Sequence, residues 1–188
     1  MEPSDEVLCQ RVAERDARAF DLLVERHQQR AYRLAWSILG DREEAKDLSQ
    51  EAFLRVYEKA STFDRRSKFS TWFHRILVNL CLDHRRRRQG WLQRIFTGAD
   101  STEPMELLER QPSPQDEPAD EVARRETMTR VWKATTALSG QQRAALLLQV
   151  QEDLPTSEIA AVLGCSEATV RVHLHRAVAT LRRTLGSE

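Results

Sequence analysis

Two clusters of side chains in this sequence are of types that could do chemistry. Near the C-terminus, Arg171, His173, His175, Arg176, Arg182 and Arg183 crowd the outward positions of one helical stretch. Earlier, Arg85, Arg86, Arg87 and Arg88 close a stretch that mixes Phe69, Trp72 and Phe73 with Lys68, His74, Arg75 and Asn79. Phe63 precedes it in the loop STFDRRSK. Guanidinium groups bind phosphate oxygens and guanine edges, and aromatic rings stack on unpaired bases. The chemistry on offer is therefore nucleic-acid binding, not bond-making. Catalysis finds no residues: there is no Gly-rich phosphate loop, no H-E-x-x-H and no nucleophile motif. Cys81 and His84 have a C-x-x-H spacing but no second half-site, so Cys81 reads as a buried thiol. Cys9, Cys81 and Cys165 are odd in number and far apart, which implies no disulfide framework. Neither a metal nor a cofactor is expected.

The elements that must position these groups are helical. Residues 153–185, DLPTSEIAAVLGCSEATVRVHLHRAVATLRRTL, read as two helices joined by a tight turn. Ile159, Ala160 and Leu163 give the first an apolar face, and Ala160 allows a close crossing. Gly164 stands where a helix end needs a left-handed residue, and Ser166 can cap the next helix. There Val170, Leu174, Ala177, Val178, Leu181 and Leu185 form one stripe, with the basic residues opposite. This is the helix-turn-helix pattern, whose second helix enters the DNA major groove. Pro155 falls in the tolerant first turn of the first helix.

Upstream, residues 4–14 suggest a short helix with Val7, Leu8 and Val12 inward. Phe20, Leu23, Val24, Ala31, Leu34, Ala35 and Ile38 then hold one face over five turns until Gly40. Asp41 begins the next helix as N-cap, with Glu44 at capping-box spacing. That helix buries Ala45, Leu48, Ala52 and Val56 and shows Asp47, Gln50, Glu51 and Glu58 on its acidic side. Phe69, Trp72, Phe73, Ile76 and Leu80 make a further stripe, and Gly90–Phe96 could continue that helix or cap the domain. Near the C-terminal helix-turn-helix, Val122, Val131, Trp132 and Leu138 lead to Ser139-Gly140, and Leu146, Leu147 and Val150 are expected to point inward.

The formal net charge of the 188-residue chain is zero, but this is a cancellation. Residues 1–98 carry 19 basic and 15 acidic residues, residues 99–122 carry 1 and 8, and residues 123–188 carry 9 and 6. Two basic blocks flank an acidic segment with four prolines, which reads as a flexible linker around a possible anchor of Met105, Leu107 and Leu108. The expected architecture is all-α, with two small helical domains at 1–96 and 122–188 and a linker at 97–121. No run reaches the ~18 apolar residues of a membrane span, and MEPSDEVLCQ is no signal peptide. A cytoplasmic protein without direct membrane insertion is expected. On these residues alone, a conventional helix-turn-helix regulator binding duplex DNA as a dimer stands beside a protein that also grips single strands.

The blocks DREEAKDLSQEAFLRVYEKASTF…FSTWFHRILVNLCLDHRRRR and LSGQQRAALLLQVQEDLPTSEIAAVLGCSEATVRVHLHRAVATLRRTL resemble regions two and four of bacterial sigma factors of the extracytoplasmic-function (ECF) class, in the sigma-70 family. The resemblance implies binding to core RNA polymerase, recognition of promoter DNA and help in opening the duplex. It places Asp47, Gln50 and Glu51 on the clamp helices of the largest polymerase subunit. It gives Phe63, Trp72 and Asn79 the capture of a flipped −10 base, with Arg85, Arg86, Arg87 and Arg88 holding the backbone nearby. It assigns −35 recognition to the helix from Ser166, with Thr169, Arg171, His173, His175 and Arg176. Val172 and His173 depart from the Ser and Arg frequent in the family, which bears on the −35 preference. The acidic linker would thread near the template and RNA path. An anti-sigma factor is the further partner that the resemblance implies.

Overall fold

The computed structural model describes residues 2–97 and 134–185, and every regular element among them is helical. Helix α1 (Asp5–Ala13) starts at Ser4, whose hydroxyl accepts from the Val7 N–H. It buries Leu8 and Val12 as expected, but Cys9 takes the inward place expected of Val7, which is exposed. Helix α2 (Ala17–Leu39) starts at Asp16, which accepts from the Ala19 N–H at 3.1 Å, and ends at Gly40 with φ 86°. Only a residue without Cβ adopts that left-handed backbone at little cost.

Asp41 caps helix α3 (Arg42–Lys59) by accepting from the N–H groups of Glu43 and Glu44, both at 2.9 Å. Glu44 does not complete the capping box, because its carboxylate turns to Arg88 at 3.2 Å and His84 at 3.1 Å on helix α4. A 3₁₀ turn (Ala60–Thr62) and a loop lead to α4 (Phe69–Thr97), which runs straight through Gly90. The α4 N-terminus is capped from a distance: the Glu6 carboxylate of α1 accepts from the Phe69 N–H at 3.1 Å. That bond, first among the causes, holds the Glu6 carboxyl below the usual range.

Phe69 and Phe73 stack at 5.9 Å between centroids in the middle of this core, with Phe53 at 4.8 Å from Phe73. Leu8, Leu23, Leu34, Ile38, Val56 and Leu77 close around them without solvent exposure.

Helix α5 (Gly140–Val150) opens with a complete capping box between Ser139 and Gln142. Its buried face is Arg143, Ala144, Ala145 and Leu148. Leu146 and Leu147 are only half-buried and Val150 is 71% exposed, which corrects the expected inward set. The alanines let neighbouring helices come close, and a Cβ on Gly140 would stand 2.9 Å from Leu82 Cδ2 of α4. Helix α6 (Thr156–Leu163) begins after Pro155, which offers no side-chain cap, and ends at Gly164 with φ 65°. Helix α7 (Glu167–Leu185) is capped by Ser166, whose Oγ accepts from the Thr169 N–H at 3.1 Å. Val170 and Ala177 are buried and Leu174 and Leu181 half-buried, but Val178 and Leu185 lie in solvent. The buried stripe is narrower than its spacing suggests.

Helices α5–α7 pack directly on α1–α4. Helix α6 lies along α4, and α5 touches α2 and α4, so Ile159, Ala160 and Val162 join the core begun by Leu23 and Phe73. The anchor residues Met105, Leu107 and Leu108, the rest of the acidic linker, and Val122, Val131 and Trp132 lie outside the described residues.

Candidate nucleic-acid and polymerase surfaces

The helix-turn-helix presents α7 outward. Arg171, Val172, His175 and Arg176 are exposed, with Val172 46% exposed among them, and His173 is partly buried at the flank. Thr169, Val172, His173 and Arg176 share one side of the helix by their spacing, while Arg171 and His175, four apart, line the adjacent side. Arg171 leans on Glu167 at 3.5 Å, an exposed pair that yields readily to a phosphate or base edge. The Ser166 and Thr169 hydroxyls meet at 2.9 Å, so Ser166 serves the helix cap before it serves any ligand.

Phe63 and Trp72 form a half-buried ledge, their centroids 5.3 Å apart. Buried Phe69 backs both rings, at 6.2 Å and 6.1 Å. The ledge is thus packed against the core yet partly exposed, and a stacking platform needs both. Asn79 is exposed on the same helix but two turns on, about 10 Å from Trp72 along the axis.

The arginine run divides. Arg86 pairs with Asp83 and Arg87 donates to the Asp83 carbonyl, both on the outside of α4. Arg85 does not face outward as the run suggested: its guanidinium donates to the Ile38 carbonyl at 3.0 Å. Burial, with Arg88 nearby, lowers its pKa. Arg88, three residues on, is likewise turned back onto Glu44. The helical turn puts residues 85 and 88 on the inner side and 86 and 87 on the outer, so only part of the run is free for phosphate. Arg143 of α5 donates to the same Ile38 carbonyl at 3.0 Å and to the Thr135 carbonyl at 2.9 Å. Two cations thus converge on the negative end of α2.

On α3, Asp47 and Gln50 are exposed and Glu51 is partly exposed, opposite the buried Ala45, Leu48, Ala52 and Val56. Glu51 takes Arg55 at 2.7 Å one turn along. The acidic side is available for a basic partner surface.

Two carboxylates that the sequence did not single out sit where the two halves meet. Glu152, buried in the turn after α5, lies 3.3 Å from His74 of α4 and 3.2 Å from Arg30 of α2. Burial pushes the Glu152 carboxyl up, but His74, Arg30 and Arg33 outweigh it and leave the pKa lowered. Glu158, in the first turn of α6, takes Lys68 and Thr71 at the start of α4. Lys68 and Thr71 stood within a motif already read as strand-binding, but a partner 90 residues away leaves no local signal.

Among the described residues, all of whose regular elements are helical, an aromatic pair beside a loop and the basic outer face of a helix-turn-helix are surfaces of the type that bind nucleic acid. Residues 23–91 match the family Sigma-70 region 2, and residues 128–181 match Sigma-70, region 4. The chain is 30% identical over 172 residues to the ECF RNA polymerase sigma factor SigW of Bacillus subtilis, covering 90% of each. It is 35% identical over 171 residues to the ECF RNA polymerase sigma factor SigM of Mycobacterium tuberculosis, covering 91% of this chain and 79% of that one. The fold is similar to that of CnrH in its complex with the cytosolic domain of CnrY, at a TM-score of 0.70, 24% identity and 99% coverage of both chains. The chain belongs to the ECF sigma factors of the sigma-70 family. It is a transcription initiation factor rather than an enzyme, directing core RNA polymerase to promoters. No described helix is long and apolar enough to cross a membrane.

Proposed function

We propose a division of labour along the chain: residues 1–96 bind polymerase and open the −10 element, residues 97–121 link, and residues 122–188 read the −35 element. The observation that carries it is the Phe63–Trp72 ledge, a pair of rings backed by the core and partly exposed. A duplex-only regulator has no use for such a platform, since paired bases offer no free π-face. Flipping a base costs a few kcal/mol, which stacking on the ledge offsets. Arg86 and Arg87 hold the nearby backbone from the outer side of α4. Asn79 makes its contact two turns further along the strand.

Asp47, Gln50 and Glu51 dock on the polymerase clamp helices through the outer side of α3. Arg171 and Arg176 reach guanine edges or phosphates in the major groove, with Thr169, His173 and His175 beside them. An exposed Val172 adds an apolar contact of the kind a thymine methyl accepts. The protein works in the cytoplasm, where polymerase and chromosome are. Solved structures of similar fold are complexes, CnrH with the cytosolic domain of CnrY and RpoE of Bartonella quintana with the anti-sigma factor NepR. We extend that to this chain as a protein anti-sigma partner.

Transcription by purified core polymerase from a randomised promoter library, with and without the protein, tests the reading. Protein-dependent transcripts sharing upstream motifs at fixed spacing are expected. Their absence together with absent core binding would overturn it.

A further inference from the structure

The closed packing of α6 on α4 puts a carboxylate where a nucleic-acid strand belongs. Lys68 Nζ lies 2.8 Å from Glu158 Oε1, and Thr71 Oγ1 donates to Glu158 Oε2 at 2.9 Å. Each carboxylate oxygen thus takes one donor, an ammonium on one side and a hydroxyl on the other. A phosphodiester presents the same feature, two anionic oxygens on one centre. The donors stand at the entrance of α4, with Trp72 next to Thr71 and Phe63 against Trp72. They therefore lie beside the proposed base-stacking ledge, where a bound strand would carry its phosphate. Thr71 is itself buried and Lys68 exposed, so the pair combines a fixed donor with a mobile cation.

We infer that Lys68 and Thr71 are a phosphate clamp for the melted strand, and that Glu158 occupies this clamp in the free chain and so holds it inactive. This rests on the strand-binding reading of the Phe63–Trp72 ledge. The geometry of a promoter supplies the release. Elements named −35 and −10 lie about 80 Å apart along a duplex rising 3.4 Å per base pair. A compact chain of this length has a radius of gyration of about 16 Å. The closed chain cannot serve both elements, so the opening that lets α7 reach its site also withdraws Glu158 from the clamp. Strand binding and domain opening become one event. The Glu158 carboxyl is held below its usual pKa, first by the Lys68 hydrogen bond, so it stays a charged occupant at neutral pH.

The test uses the full-length protein without polymerase and a fluorescein-labelled 12-nucleotide single strand of randomised sequence, read by anisotropy across a salt series. Glu158→Ala is expected to tighten binding at least fivefold. Glu25→Ala, which removes an exposed acid on α2, controls for net charge and is expected to change it less than twofold. Adding Lys68→Ala to Glu158→Ala should abolish the gain and flatten the slope of log affinity against log salt by about 0.7, the value for one single-strand phosphate contact. A Glu158→Ala protein that binds no better than Glu25→Ala overturns the inference. So does a double variant that binds as tightly as Glu158→Ala alone. Phe63→Ala on the Glu158→Ala background separates the two readings. Unchanged affinity there sinks the ledge, whereas the clamp stands or falls by the Lys68→Ala reversal.

Discussion

Glu152→Ala should open the molecule without unfolding its halves. The carboxylate is buried in the turn after α5 and faces His74 at 3.3 Å and Arg30 at 3.2 Å, joining α5–α7 to α1–α4. Breaking a fully buried ion pair costs about 3–5 kcal/mol because the surviving charge stays dry. That figure is too large here, since the Arg30 side chain is 54% exposed and regains water. His74 remains, its side chain 8% exposed, as the buried polar group left without its partner. One such group costs about 1–3 kcal/mol, so the ratio of closed to open chain should fall about 5- to 150-fold. Hydrogen–deuterium exchange reads this directly. Amides protected only by the contact of α6 with α4 should exchange faster by that factor, while those beneath Leu23 and Leu34 keep their rates. Unchanged exchange at the α4–α6 contact would refute the reasoning. A uniform acceleration through α1–α4 would refute it too, by showing that Glu152 stabilises the fold rather than the closure.

Gly164→Ala should cost about 1–2 kcal/mol, a purely backbone effect, because an added Cβ meets nothing within 4 Å while φ stays at 65°; a melting temperature lowered by a few degrees checks it. Phe73→Ala should cost about 3–5 kcal/mol, since the ring is buried between Phe53, Phe69 and His27; urea unfolding at an unchanged m-value measures it. Burial raises the Asp5 pKa but Arg26 and His27 outweigh it, and Glu6, Glu152 and Glu158 are also held below their usual values. Depressed carboxyls stabilise the folded chain above the unfolded pKa and lose that contribution as pH falls through the folded one. Urea midpoints should therefore be steady down to about pH 5 and drop below about 4.3. Arg171→Ala or Arg176→Ala should lower transcription with core affinity intact, and charge reversal at Asp47 or Glu51 should lower core affinity itself; equal loss of both in either set, by transcription and core-binding titration, would undo the division of surfaces.

The helices and their ends were legible in the residues themselves. Asp41 and Ser166, read as caps from their spacing, reach the orphan N–H groups, as Asp16 and Ser139 also do, and Gly40 and Gly164 adopt the left-handed backbone that stops α2 and α6. These are interactions over three or four residues, and a local pattern suffices to specify them. The basic outer face of α7 and the acidic side of α3 followed from the same periodicity. Periodicity says that a stripe is buried, not what buries it. Val150, Val178 and Leu185 stand in solvent because no helix among the described residues covers them, although their spacing matches that of buried neighbours. Arg85 turns inward because α2 ends beside it, and Arg88 because Glu44 faces it across the α3–α4 contact. Glu158 meets Lys68 from 90 residues away. The sequence by itself determined the helices, their caps and the family. Only the tertiary structure decided which cations remain free for phosphate and that the two halves close on each other, because charges find their partners by docking of helices and not by their order along the chain.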